Sequence, residues 1–114
     1  MIESAKPIAS RPDVYRLALI GKLYAPEAEP LQECLSQAVA DGAKHLLLDC
    51  TMLQQMDSTI MRAIIVGMKK LNEAGGGKVV FAGSNEYVTR ILSLTRIDRY
   101  SVLAKDEAEA LTLL

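Results

Sequence analysis

The feature that most constrains this chain is the run His45-Leu46-Leu47-Leu48-Asp49-Cys50, which is apolar at its centre without alternating and has helical patterns on both sides. A strand with one face in water alternates apolar and polar residues, because successive side chains point to opposite faces. A run that does not alternate suits a strand covered on both faces, as in parallel sheets whose crossovers lay helices against them. Other segments repeat this grammar. Val14 to Leu23 (VYRLALIGKL) reads as a strand rich in branched and aromatic residues, with Gly21 marking a bulge or a close backbone approach. Lys78 to Ala82 is another apolar strand, and Asp98 to Leu103 reads as a last short one. Residues 1–13, with Pro7 and Pro12 and a weak apolar pattern, read as an edge strand or a frayed arm.

Helices fill the intervals. Pro26, Glu27 and Glu29 mark an entrance, since proline and negative charge suit a first turn. Leu31, Cys34, Leu35, Ala38 and Val39 follow at helical spacing, and Gly42 stops the helix. Thr51 to Met56 reads as a loop leading to Asp57-Ser58-Thr59, whose short oxygen-bearing side chains cap helices well. Met61, Ile64, Ile65, Met68 and Leu71 then share one helical face, and Gly75-Gly76-Gly77 closes that helix. Ser84-Asn85 caps a third helix carrying Val88, Ile91 and Leu92; Asp106 opens a fourth in which Ala108, Leu111 and Leu114 recur every three residues. Strands alternating with helices imply right-handed crossovers and a mostly parallel sheet. With 114 residues and no internal repeat, linker or low-complexity tract, one α/β domain over residues 1–114 is expected.

Composition removes several function classes. The 13 basic and 14 acidic residues are interspersed and nearly cancel, which argues against the basic patch that nucleic-acid binding requires. The longest apolar run, from Ala63 to Met68 with Gly67 allowed, is far short of a membrane span. The first residues lack a charged-then-apolar signal pattern, so a cytoplasmic protein is expected. Cys34 and Cys50 have neither metal nor redox spacing and read as small core hydrophobes. The single histidine, His45, opens a strand, and no serine lies in a Gly-x-Ser-x-Gly elbow, so no nucleophile has a base to activate it. Gly75-Gly76-Gly77-Lys78 stands between a helix and a strand, the reverse of the strand-to-helix order a phosphate-binding loop needs. A small hydrolase or nucleotide-binding enzyme would rest on Ser58 and these glycines alone. No catalytic residue, cofactor or metal is expected.

The remaining locus is the start of the second helix. Placed at 100° per residue, the helix centres one face on Met61, Ile65, Met68 and Asn72, with Thr59, Arg62, Ala63, Val66 and Lys70 opposite. Ala63 and Val66 make that opposite face more apolar than an ordinary surface. It is either a partner-docking patch rimmed by Arg62 and Lys70 or one side of a helix sandwiched within its own fold.

The order of Val14-to-Leu23, Leu46-Leu47-Leu48-Asp49 and Met56-Asp57-Ser58-Thr59 resembles the STAS family of bacterial anti-sigma-factor antagonists. Gly76-Gly77-Lys78-Val79-Val80-Phe81-Ala82-Gly83, then Val88, Arg90, Ile91, Leu92 and Leu94, and the closing Asp106-Glu107-Ala108-Glu109-Ala110-Leu111 extend the resemblance over nearly the whole chain. It implies a four- to five-stranded mixed, mostly parallel sheet with about four helices largely on one side. It also implies partner switching, in which the antagonist binds an anti-sigma factor that is also a serine kinase. The kinase phosphorylates the serine after the helix-opening aspartate and ejects the antagonist, and a phosphatase resets it. By position the acceptor is Ser58, with Thr59 the second choice, and the partner-binding residues are Tyr24, Asp57, Ser58, Thr59, Ile60, Arg62, Ala63 and Val66. Three positions depart from the family pattern: Ile60 and Arg96 replace usual glycines, and Gly21-Lys22-Leu23-Tyr24 replaces Gly-Glu-Leu-Asp. Ile60, a β-branched residue beside the acceptor, motivates an alternative: a STAS accessory subunit of a transport or signalling complex that works without phosphorylation.

Overall fold

The computed structural model describes residues 1–94 and 101–114. Its centre is the strand that carries the leucine triplet. Leu46 and Leu48 enter one core layer with Leu17, Leu19, Leu35 and Phe81, while Leu47 enters a second with Val14, Val80, Ala104 and Ala110. All three leucines are essentially without solvent contact, which is why the run does not alternate.

The elements in order are β1 (Lys6–Ile8), β2 (Arg11–Leu23), a 3-10 turn (Ala25–Glu27), α1 (Ala28–Ala40), β3 (His45–Met56), α2 (Ser58–Glu73), β4 (Val79–Ala82), α3 (Glu86–Leu94), β5 (Val102–Ala104) and α4 (Glu107–Thr112). The sheet runs β1-β2-β3-β4-β5, antiparallel at its first junction and parallel at the other three. Parallel strands laid side by side in one direction and joined by right-handed crossovers put their helices on one face. The larger core layer accordingly holds the inward residues of α1, α2 and α3, and α4, which follows the last strand, supplies Ala110 to the other layer. A single mixed, mostly parallel sheet with helices largely on one side is therefore what the chain forms.

Residues 1–13 contribute an edge strand, with Lys6 opposite Arg16 and Pro7 opposite Tyr15. The bulge expected at Gly21 is present: its φ is +80°, and the register against β3 shifts between Gly21 and Lys22. Where α2 crosses α1, a β-carbon on Gly67 would stand 2.5 Å from Leu35 Cδ1, so the close approach of the helices depends on that glycine. Among the described residues no helix is long and apolar enough to cross a membrane.

Three expectations are corrected or fall outside. Thr51 to Met56 is strand, not loop: β3 runs on to Met56, with Met52, Leu53, Gln55 and Met56 opposite Ile20, Gly21, Lys22 and Leu23. The pairing of β4 with β3 ends at Asp49 and Ala82, so past that point β3 has only β2 beside it. Only Leu53 and Met56 of that stretch are buried, and a half-exposed, irregular ribbon looks like a loop in a polarity pattern. In α4 Leu111 and Leu114 pack against the second core layer as expected, but Ala108 is exposed and Ala110 is the fully buried residue. The expected start of the last strand at Asp98, like Arg96, lies outside the described residues, and the strand is seen at Val102–Ala104.

Candidate functional site

Strands β2, β3 and β4 run parallel, so Leu23, Met56 and Ala82 finish on the same edge of the sheet, and Tyr24, Asp57 and Gly83 begin the turns there. The carboxyl edge of parallel strands is where α/β folds present sites, because the connecting turns converge on it. Here the turns are tied to one another. Asp57 is the N-cap of α2: its Oδ1 accepts from the Ile60 amide at 3.0 Å, and its Oδ2 accepts from the Ala25 amide at 3.0 Å. One carboxylate thus satisfies a free helix-end donor and fastens the turn after β2 to the start of α2. Beside it, the Tyr24 hydroxyl donates to Gln55 Oε1 at 2.9 Å. On the other flank Asn85 Nδ2 donates to the Leu53 carbonyl at 3.1 Å, while Asn85 Oδ1 caps α3 by accepting from the Val88 amide at 2.8 Å.

On this braced rim Ser58, the first residue of α2, is exposed. Arg62 is exposed, Asp57, Thr59 and Val66 are half-buried, and Tyr24 is 45% exposed. Two residues expected at the surface are not there: Ile60 and Ala63 have no solvent contact and belong to the core. The buried face of α2 is Ile60, Met61, Ala63, Ile64, Gly67 and Leu71, rotated from the expected one. Ile65, expected near the centre of the core face, is 36% exposed, so the outward stripe is Ser58, Arg62, Ile65 and Lys69. Among the described residues neither Arg62 nor Lys69 has a hydrogen-bond or ion-pair partner from its side chain, whereas Lys70 donates to Ser36 Oγ at 2.8 Å. Ile65 and Lys69 are the surface residues that sequence reasoning missed, and Met52, unusually apolar for the loop it was expected to lie in, is 66% exposed. The available signal was the small pair Ala63 and Gly67, one helical turn apart, which marks the side where another element comes close.

A second group of charged side chains links elements of the fold. Asp49 accepts from the Thr51 amide at 3.0 Å and from the Thr51 hydroxyl, and pairs with Arg16, whose Nε lies 2.9 Å from Glu107 Oε1. Partial burial pushes the Asp49 carboxyl up, but the Thr51 hydrogen bonds and the Arg16 guanidinium outweigh it and hold it below its ordinary value. This chain of contacts ties α4 to the sheet. A groove of about 730 Å³ adjoins it, lined by residues 2–4 and 6–8 together with Arg16 and Glu107, but Arg16 is already engaged by two carboxylates. His45 accepts from the Lys78 amide at Nδ1, 2.9 Å, with Nε2 3.9 Å from Asp13. A β-carbon on Gly77 would fall 2.2 Å from His45 Cε1, so the last glycine of the triplet makes room for that ring. Burial pushes the Cys50 thiol up to about 12 and also raises the half-buried Cys34, so neither is a ready thiolate. Among the described residues no three His, Cys, Asp or Glu side chains are grouped to hold a metal ion.

The chain matches the family model of the STAS domain over residues 5–110. Its fold is shared with a Thermotoga maritima protein provisionally assigned as an anti-sigma factor antagonist, at a TM-score of 0.82 and 24% identity over 95% of this chain and 90% of that one. An anti-sigma factor antagonist from Mycobacterium paratuberculosis superposes with a TM-score of 0.81 and 21% identity over 99% of this chain and 93% of that one. The Bacillus cell fate determinant SpoIIAA in its phosphorylated form gives a TM-score of 0.72 and 16% identity over 96% and 97% of the two chains. At such identities the likeness is one of fold.

Proposed function

The chain belongs to the STAS domain family, and from that premise we propose that it is a regulatory protein-binding module rather than an enzyme: an anti-sigma-factor antagonist switched at Ser58. It docks on an anti-sigma factor that is also a serine kinase, and its release follows phosphorylation by that kinase. In that step Ser58 Oγ attacks the γ-phosphorus of ATP held by the kinase. The Oγ–P bond forms, the bond from phosphorus to the β–γ bridging oxygen breaks, ADP leaves, and the hydroxyl proton passes to a base of the kinase. A phosphatase restores the hydroxyl by hydrolysis, and the cycle runs in the cytoplasm.

The observation that carries this reading is the exposed Ser58 hydroxyl on the first turn of α2, beside an aspartate whose two oxygens are turned into the fold. A phosphate there is tolerated by the fold, because a helix N-terminus favours negative charge. It adds a charge of about −1.5 to −2 beside Asp57 in the middle of the docking surface. Repulsion and desolvation of roughly 2–4 kcal/mol then weaken binding by about 30- to 1000-fold. Ile60 is no obstacle to a partner, since its side chain is buried rather than presented on the rim.

Ser58→Asp tests the reading. Affinity for the cognate anti-sigma factor, measured by titration calorimetry, is expected to fall at least about tenfold, with thermal stability nearly unchanged. Equal affinity, together with an unmodified intact mass for protein taken from native cells, would replace the switch with a constitutive accessory subunit.

A further inference from the structure

Ser58 and Arg62 stand one turn apart on the exposed face of α2, the serine at the first position of the helix and the arginine four residues on. Residues so spaced are neighbours on a helix surface, with β-carbons about 5–6 Å apart. Helical side chains also lean toward the N-terminus, which aims the long Arg62 side chain back over Ser58. Arg62 is uncommitted: among the described residues it has neither an ion pair nor a hydrogen bond from its guanidinium. The donors at the helix end are partly spent, because Asp57 already takes the Ile60 amide and its own carbonyl takes the Met61 amide. A group added to Ser58 Oγ would therefore have, one turn along the same helix, a cation that is unengaged among the described residues.

We propose that Arg62 is the built-in counter-ion of phosphoserine 58: once Ser58 is modified, the guanidinium closes on the phosphate in cis. The inference rests on the reading of Ser58 as the phosphoacceptor and adds how the modified state is held. Anion before cation at this spacing is the favoured order on a helix, and the planar guanidinium pairs with phosphate oxygens through two parallel N–H donors. Modification then does two things to the docking face. It places a dianion at the rim, and it withdraws from the outward stripe the cation nearest to Ser58, leaving Lys69 as the only other positive charge on it. In the unmodified protein the same stripe presents Arg62 and Lys69 around Ile65, a surface complementary to an acidic, partly apolar partner.

The test needs no partner. Phosphoserine is installed at position 58 of the full chain by genetically encoded incorporation, and the second ionisation of the phosphate is followed by phosphorus-31 NMR between pH 4.5 and 8. An ordinary phosphoserine titrates with a second pKa of about 6. With Arg62 present the midpoint is expected at least about 0.3 unit lower than in the Arg62→Gln variant, and Arg62→Lys should recover part of the difference. The variants change an exposed side chain, so unchanged amide spectra outside the first two turns of α2 are expected in the unphosphorylated proteins. Equal midpoints in wild type and Arg62→Gln would overturn the pairing, even if phosphorylation still releases the partner. A lowered midpoint together with undiminished partner affinity would keep the pairing and refute the switch. The two ideas can thus fail separately.

Discussion

Replacing Asp57 by alanine removes one small side chain and two hydrogen bonds, each 3.0 Å long, one to the Ile60 amide inside α2 and one to the Ala25 amide across the edge of the sheet. Loss of an N-cap costs about 1 kcal/mol, and loss of the second bond, exposed but made to a charged carboxylate, costs a similar amount. The expected destabilisation is therefore about 2 kcal/mol, out of a total on the order of 10 kcal/mol for a domain this size. With an unfolding entropy of about 2.1 cal/mol/K per residue over 114 residues, that is a fall in Tm of roughly 8 °C. Asp57→Asn divides the effect. Asparagine keeps one carbonyl oxygen and is itself a good N-cap, so the Ile60 bond survives and the Ala25 bond is lost, for a fall of roughly 4 °C. Thermal denaturation followed by circular dichroism gives the three midpoints, and amide hydrogen exchange identifies the bond that has gone. The Ala25 amide should exchange faster in both variants, and the Ile60 amide only in the alanine one. An alanine variant within about 2 °C of wild type, or an asparagine variant as unstable as the alanine one, would refute the claim that one carboxylate fastens the turn and the helix together.

Two further outcomes follow from the packing. The pKa of His45 is lowered from 6.5, mainly by burial and against the pull of Asp13, so the folded state favours the neutral ring that accepts from the Lys78 amide. The unfolded chain then binds more protons near pH 6, and the stability from this site is full above 6.5 and is lost as the pH falls from there through the lower folded-state pKa. Tm should be lower at pH 5.5 than at 7.5, and His45→Gln should flatten the difference; a wild type equally stable at both would sink the account. Ile60→Gly, which installs the usual family residue, should cost about 4 kcal/mol in urea titration, from an emptied core site and a poorer helix former. A loss below about 1 kcal/mol would mean that Ile60 does not fill the core as described.

What could be read from the sequence was whatever depends on local chemistry or on a long pattern. The leucine triplet identified a doubly covered strand because no one-sided strand tolerates three successive large apolar residues. Asp57, Asn85 and Asp106 declared three helix starts because a short oxygen-bearing side chain is what a helix end needs, and each caps as expected. Gly21 declared its bulge because its φ of +80° is a conformation other residues avoid. The second half of β3 could not be read, since Thr51 to Met56 gains its strand character from β2 alone, and a strand with one neighbour and one covered side has no strong period of its own.

The phase of α2 was lost for a different reason, and the reason bears on function. From Ile60 to Met68 the helix is apolar at every position except Arg62 and Gly67, so hydrophobicity alone allows several choices of inward face. Packing decides among them by size. Gly67 lies against Leu35 of α1, and Ala63, one turn earlier, is also fully buried, so that side must turn inward and Ile65 must turn out. The fold takes what it needs from Ile60, Met61, Ile64 and Leu71 and leaves on the same outward stripe as Ser58 a branched residue and two cations that have no partner among the described residues. Exposed apolar surface bordered by free charge does nothing for the stability of the isolated domain. A helix that keeps such a stripe beside an exposed hydroxyl is therefore better explained by something that docks there than by the needs of its own core, and the rotated wheel strengthens the docking reading even as it removes Ile60 and Ala63 from the surface.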